Sequence, residues 1–531
     1  MKKTNRYINM PGAKALLTGF LFLAACTGDF DEINSNPQSI NTVGAAEWPF
    51  LFAQAQSAAG FSAGNYQVAQ NLFSDQYAQY FANITTYFPS DRLVMRFDWL
   101  QATWTPTYTI ALPQLKTIMD QADKNSAEYA LAQIWRVWTM HRLTDYYGPV
   151  PYFKAGEVAT VVPYDAQDVI YDDFFKQLTS AVEVLKANTT ATPFDNGDLV
   201  YGGDVNKWIK FANTLRLRLA LRISKVTPDR AKTEAEAAYK SGVMTASPTD
   251  DAYIQKSQRG GDTNGLSVMA DWNEFRMSAT MESVLKGFND PRIGEYFLPA
   301  VNTDTYEGLR NGLTVDELGN KSYDKDALSH VGFRWASHRK KPNGDNETSS
   351  DYLATPQNVM GAAEAYFLRA EGALNGWDMG GSVEDLYNQG IDNSMAQWGI
   401  TDTDAITAYK NGTTTPVAPG DAFGSPAVND LVVKFGGATS VQREQIAMQK
   451  WLALFPDGFE AWADYRRTDL PRLYPVAHSD NADITNTATQ RLRRIPFLDV
   501  DKLTNAGAIS DAVTLLHGPD KVTTPLWWDV D

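Results

Sequence analysis

Four times in this 531-residue chain, two amphipathic stripes of helical period are joined through a turn or loop. That repetition limits the fold more than any other feature, because a helix with one apolar face must bury it against another element. The most telling pair is Gln449–Pro471, QKWLALFPDGFEAWADYRRTDLP. Before its turn at Pro456–Asp457–Gly458, residues Ala447, Trp451, Leu454 and Phe455 fall at i, i+4, i+7 and i+8. After it, Phe459, Trp462 and Tyr465 share one side, while Asp464 and Arg467 stand three apart, within pairing reach. So aromatic a hairpin has to pack into a larger helical body, with Trp451 and Trp462 in the scaffold and Arg466 and Arg467 paired internally.

The other three pairs follow the same logic. Thr105–Pro106 reads as an N-cap followed by proline at the first helical position, opening a helix to about Lys124. Ser126 restarts the chain, and Leu131, Ile134, Trp135 and Trp138 form a stripe before Gly148. In the second pair Asp165 is expected to cap a helix carrying Ile170, Phe174, Leu178, Ala181 and Leu185. Asp204 caps its partner, with Trp208, Phe211, Ala212, Leu215 and Leu219. Arg216, Arg218 and Arg222 near its end suit the helix dipole and ion pairs better than a ligand. The third pair opens at Thr355–Pro356 with Val359, Ala362, Ala363, Tyr366, Phe367, Ala370 and Leu374, and ends at Gly376. Ser382 then caps a helix lined by Tyr387, Ile391, Met395 and Trp398. Ahead of all these, 45–59 and 66–82 also read as helices. The expected fold class is all-α, a tetratricopeptide-like superhelical scaffold of about four helix pairs. Between the second and third pairs, 242–354 is a loop-rich insert; 401–439 is a second loop, rich in Gly, Pro and Thr.

The chain's only cysteine, Cys26, sits where location is decided. Lys2, Lys3, Arg6 and Lys14 precede the apolar run 15–25, too short to span a bilayer and flanked as a signal peptide is. Leu23-Ala24-Ala25-Cys26 has the form of a bacterial lipobox, in which small residues admit the peptidase and the thiol carries the lipid. The expected layout is a signal peptide over 1–25, a lipidated tether over 26–44 and one domain over 45–531. Acyl chains, at about 0.8 kcal/mol per buried methylene, would be the only hold on the membrane. The net charge of −16 becomes about −20 once the four basic residues leave with the signal, which argues against nucleic acid and anionic lipid as partners.

Several blocks together make the chain resemble the SusD/RagB-type outer-membrane nutrient-binding lipoproteins, in the starch-binding, outer-membrane-associated branch. They are TDYYGPVPY (Thr144–Tyr152), KWIKFANTLRLRLALR (Lys207–Arg222), AEAYFLRAEGALNGW (Ala363–Trp377) and KWLALFPDGFEAWADYRRTDLP (Lys450–Pro471). RLRRIPF (Arg491–Phe497) and the lipobox followed by DFDEINSNP also fit. The resemblance implies four tetratricopeptide-like pairs presenting a loop-rich ligand face. It implies a surface lipoprotein that caps a SusC-like, TonB-dependent transporter and hands it oligosaccharides, or in some members peptides, without chemistry or cofactor. Only the lipid-bearing Cys26 transfers residue for residue.

The residues themselves offer little catalysis. Gly60-Phe61-Ser62-Ala63-Gly64 matches a nucleophile elbow, but a helical segment precedes it where that motif needs a strand. His141, His330, His338, His478 and His517 show no metal-ligand spacing. Two-carboxylate glycosidase chemistry needs residues that meet only in space. Non-catalytic glycan capture is therefore the expected function, with a peptide-binding member of the same family or a surface glycoside hydrolase as alternatives. Sugar C–H faces stack on exposed rings, and Tyr87, Trp99, Trp272, Phe275 and Trp335 are the candidate rings in loop-like sequence. Asn273 and Arg276, beside Trp272, are candidates for reading hydroxyls.

Overall fold

Short-range capping chemistry sets where three of the long helices begin. The computed structural model describes residues 43–157, 161–340 and 345–530; Cys26, the signal segment and nearly all of the tether lie outside the described residues. Contacts divide the chain into Met1–Trp48 and Pro49–Asp531, and the second unit holds the helical pairs. Its first helix is α1 (Trp48–Gly60). A continuous helical run then covers Phe97–Pro106, a π-helical turn Thr107–Ala111 and α2 (Leu112–Gln121). The Ser126 hydroxyl accepts from the Tyr129 amide at 3.2 Å and starts α3 (Ala127–Tyr147). After α4 (Gln167–Ala187), the Asp204 carboxylate takes the amides of Asn206 and Lys207 and starts α5 (Val205–Arg222). There follow α6 (Pro228–Ser241), then, beyond the insert, α7 (Ala362–Leu374) and the Ser382-capped α8 (Val383–Gln397). The last pair is α9 (Thr439–Leu454) and α10 (Gly458–Thr468).

Neighbours in sequence are neighbours in space: α2 packs on α3, α3 on α4, α4 on α5, α7 on α8 and α9, and α5 reaches across to α7. This is the expected stack of helix pairs. Where two helices come closest the sequence supplies glycine: a Cβ on Gly390 of α8 would lie 2.6 Å from the Phe367 ring of α7. A Cβ on Gly458, the first residue of α10, would collide with Asp75 at 2.2 Å. Trp451 and Trp462 are both buried, as expected of scaffold residues.

The scaffold interior also holds charge, and the charges are matched. Arg218 forms a bidentate pair with Glu364, at 2.7 and 2.6 Å. Arg222 meets Glu460 at 2.6 Å, and Arg467 meets both Glu371 and Asp464 at 2.7 Å. Lys450 lies 2.8 Å from the same Asp464. Of the arginines read as internally paired, Arg216, Arg218, Arg222 and Arg467 meet carboxylates, whereas Arg466 donates to the Trp462 and Arg493 carbonyls and lies over the Trp462 ring.

Four expectations need correction. Pro106 does not open a helix; it lies inside one, and the π-turn directly after it absorbs the missing backbone donor. Asp165 caps nothing, because its carboxylate takes the amides of Tyr152 and Phe153, both at 2.9 Å. The segment after Thr355–Pro356 is a strand before it becomes helix. The expected helix over 66–82 breaks up: Ala63–Tyr66, a π-turn Gln67–Asn71 and Ser74–Tyr77 are followed by left-handed Gln79 (φ 55°) and a strand.

That strand is β1 (Phe81–Asn83). The strands in order are β1, β2 (Ala252–Ile254), β3 (Phe275–Met277), β4 (His338–Lys340), β5 (Asn346–Thr348) and β6 (Gln357–Met360). They form antiparallel pairs β1–β3, β2–β6 and β4–β5. The pairings tie the 242–354 insert to the N-terminal loops and to the lead-in of α7.

Candidate functional site

The β1–β3 pairing builds the site, since it sets Asn83 opposite Phe275 and continues with the Ile84 amide donating to the Glu274 carbonyl at 3.1 Å. Beyond β1 the chain must turn, and Asn83 closes the turn with its own side chain. Its amide donates to the carbonyls of Thr85 (2.9 Å) and Phe88 (3.1 Å), while its oxygen accepts from the Thr85 amide and hydroxyl. The loop so fixed carries Tyr87, 62% exposed.

Ahead of β3 runs the short helix Gly265–Trp272, capped by Asn264 and ended by Asn273, whose φ of 59° reverses the chain into the strand. Asparagine tolerates this left-handed geometry better than most residues. The turn leaves Trp272 at the helix end, 45% exposed, beside Gly64: a Cβ on that glycine would lie 3.7 Å from the ring edge. Two residues after Trp272 stands Glu274, which is bonded to the Tyr87 hydroxyl and which sequence reasoning did not single out. One of its oxygens accepts from the Tyr87 hydroxyl and the other from the Gln67 side-chain amide, the latter at 2.6 Å. The bond to Glu274 pushes the Tyr87 phenol up to about 12. The signal for Glu274 is its place in sequence between the candidates Asn273 and Phe275.

The remaining candidates fall into other roles. Trp99 is half-buried, edge-on to Phe88 at 5.6 Å, with the Arg96 guanidinium 4.7 Å from its ring centroid. Phe275 and Trp335, each 1% exposed, are corrected from ligand platforms to core. Phe275 packs on Phe81 at 4.6 Å, and Trp335 lies against Trp398 and Phe455. Both rings are spent on packing, the ordinary fate of a large apolar side chain.

Arg276 is also buried, 3% exposed, on the strand residue after Phe275. Its Nε donates to the Lys325 carbonyl (3.1 Å) and its Nη1 to the Phe275 carbonyl (2.7 Å). It lines a cavity of about 150 Å³ together with Asn273, Lys325, His330, His338 and Lys340. Burial, reinforced by Arg276, pushes the His330 imidazole down to about 3. Both His330 ring nitrogens lie near carbonyls, of Val331 and Ala270.

Ser62 of the elbow-like motif has a different neighbourhood from a triad serine. Its hydroxyl donates to Asp262, and Lys256 Nζ lies 3.3 Å from it and 3.1 Å from the same carboxylate. These bonds tie the segment that holds Gly64 and Gln67 to the insert. His141 is a buried scaffold residue, 3.5 Å from Arg218, with its basicity driven well down by burial and by that arginine.

Comparison with known proteins agrees with this architecture. A family model described as SusD-like, Susd and RagB outer membrane lipoprotein, matches residues 45–529. A chitin-binding SusD homologue from Flavobacterium johnsoniae superposes with a TM-score of 0.81 at 34% identity, over 91% of this chain and 99% of that one. A SusD homologue from Bacteroides uniformis gives 0.79 at 30% identity, over 92% and 100%. One from Bacteroides thetaiotaomicron gives 0.79 at 27%, over 91% and 98%. A search of curated proteins found no match. With the helical pairs, the insert and nearly the whole described length accounted for, the chain belongs to the SusD-like family of outer membrane lipoproteins.

Proposed function

We propose that this protein captures glycan oligosaccharides at the outer-membrane surface and passes them to a SusC-like, TonB-dependent transporter. The observation that carries the reading is the placement of Tyr87 and Trp272. Both rings are exposed, and two residues beyond Trp272 the Glu274 carboxylate accepts from the Tyr87 hydroxyl and the Gln67 amide, with Asn273 at the turn between. A sugar ring has apolar C–H faces and a rim of hydroxyls, so a ring to lie on and acceptors and donors around it form a complementary surface. Capture followed by release asks for millimolar-to-micromolar affinity, about −4 to −8 kcal/mol, which a few such contacts supply. A chitin-binding relative of the same architecture supports glycans as the ligand class. Cys26 would carry the lipid that holds the protein at the membrane, and Cys26→Ala should abolish membrane retention. Among the described residues no helix is long and apolar enough to cross a membrane.

The test is titration of the purified protein with chito-oligosaccharides and other neutral oligosaccharides, with product analysis alongside. Binding without turnover is expected, weakened about tenfold by Trp272→Ala, as loss of one stacking ring of about 1–2 kcal/mol predicts. Product formation that disappears on substitution of a carboxylate would make the protein a hydrolase. A response to peptides alone would make it a peptide-binding member of the family.

A further inference from the structure

The buried arginines of this protein are compensated in two ways. Arg92, Arg218, Arg222, Arg292, Arg467 and Arg494 each have a carboxylate within ion-pair distance. Arg142, Arg310, Arg369 and Arg466 instead rest on aromatic faces, with Arg466 3.7 Å from the Trp462 centroid and Arg142 4.0 Å from that of Phe459. Arg276 has neither among the described residues. Two backbone carbonyls hold its Nε and Nη1, and its Nη2 has no hydrogen-bond partner there. What it does have is the cavity. Burial, only partly offset by the Asp326 carboxylate beyond ion-pair distance, pushes its guanidinium down to about 10.

The cavity wall extends this pattern. It carries Lys325 as a further cation, together with Lys340, which is paired with one of the two carboxylates of the wall. Asp271 accepts from the Tyr352 hydroxyl at 2.5 Å, and Asp326 lies 3.4 Å from Lys340. Asp271 and Asn273, both in the wall, are the residues on either side of the exposed Trp272. A desolvated guanidinium fixed by two bonds, with its remaining edge free, favours an oxyanion over a neutral acceptor, because the opposite charge adds a Coulomb attraction that water screens little there. The acidic net charge of the chain does not oppose this: beyond about 8 Å its field is screened at physiological salt, whereas Lys325 acts locally.

We propose that this cavity is an anion subsite in which Arg276 receives the carboxylate or sulfate of an acidic glycan whose sugar ring lies against Trp272. The inference rests on the glycan-binding reading above and narrows it to acidic glycans.

The test titrates the full chain with matched pairs: trigalacturonate and its methyl ester, and a chondroitin-4-sulfate tetrasaccharide and its desulfated form, with chitotriose as neutral control. The free-acid member of the first pair or the sulfated member of the second should bind about tenfold more tightly than its partner, with that ratio falling as NaCl is raised. Which pair responds distinguishes carboxylate from sulfate. Arg276→Gln should bring the ratio to about one; should that variant fail to fold, Lys325→Ala at the exposed rim should lower the ratio about twofold to threefold. Equal binding within both pairs, binding of chitotriose alone, or a ratio that survives Arg276→Gln overturns the anion subsite and leaves glycan capture standing. No binding of any of the five, with peptides binding instead, overturns glycan capture and the subsite with it.

Discussion

Arg218 in the helical scaffold and Arg276 on the loop-rich face are buried almost equally, yet their charges stand in opposite states. Burial alone lowers the basicity of both. Around Arg218 the carboxylates of Glu364 and Glu460 outweigh that loss and hold the guanidinium above its ordinary value. Arg276 has no such partner and falls to about 10. The scaffold satisfies its charges internally, so it can be rigid and inert. The face built from β1, β3 and the insert leaves an arginine edge, two aromatic rings and a cavity unsatisfied, which is what a ligand site requires. Stability and recognition are thus separated in space, and substitutions in the two regions should differ in kind.

The largest expected effect breaks the scaffold side. Glu371→Ala leaves Arg467 and Lys450, which lie 2.7 and 3.4 Å from it, to share the single carboxylate of Asp464. Removing one member of a buried ionic network should cost about 3–5 kcal/mol in chemical denaturation. A loss below about 1 kcal/mol would mean that the internal matching is not what holds α7 to α10. A somewhat smaller effect comes from Asp75, the acidic counterpart of Arg276. Its carboxyl is buried at the start of α10, bonded to the neutral Gln70 and Tyr66 side chains at 3.0 Å and to the Gly458 backbone, with no cation among these partners. Burial pushes it up to about 7. Between about pH 4 and 7 the unfolded chain is then ionised at this position while the folded chain is protonated, so stability falls as pH rises through that window and levels off above it. The contribution is of the order of 2–4 kcal/mol, and Asp75→Asn should flatten it in urea midpoints measured from pH 4 to 8. Asp464 behaves in reverse. Burial raises its pKa, but Arg467 and Lys450 more than offset this and hold it below the usual range, so its contribution is present above about pH 4 and lost on acidification. An unchanged slope in Asp75→Asn would remove the contrast between matched and unmatched acids.

How far the sequence could be read follows the same division. Ser126, Asp204 and Ser382 start helices through bonds to amides two or three residues away, so local pattern was enough to find them. Asp165 has the same chemistry but spends it on Tyr152 and Phe153, a choice made by a loop more than ten residues distant. The helical pairs were legible because periodicity records burial along one element. The site was only half legible because exposure is decided between elements. Nothing local distinguishes Trp272, left outside by the turn at Asn273, from Trp335, enclosed by Trp398 and Phe455. Arg276 was found as a neighbour of Trp272, while its lack of a partner emerges only once Lys325 and Phe275 are folded around it.

The smallest expected effect asks which part of Tyr87 matters. Its hydroxyl is engaged with Glu274, and both groups lie near the surface. An exposed hydrogen bond of this kind contributes well under about 1 kcal/mol, so Tyr87→Phe should leave the denaturation midpoint nearly unchanged. The ring face remains, so glycan affinity should fall by no more than about threefold, against about tenfold for Trp272→Ala. If Tyr87→Phe costs as much as Trp272→Ala, the phenol–carboxylate pair is what meets the sugar, and Glu274 with Gln67 becomes the centre of the site. If Tyr87→Ala also costs less than about threefold, the aromatic surface reduces to Trp272, and recognition must lean on the cavity that opens between Asn273 and Arg276.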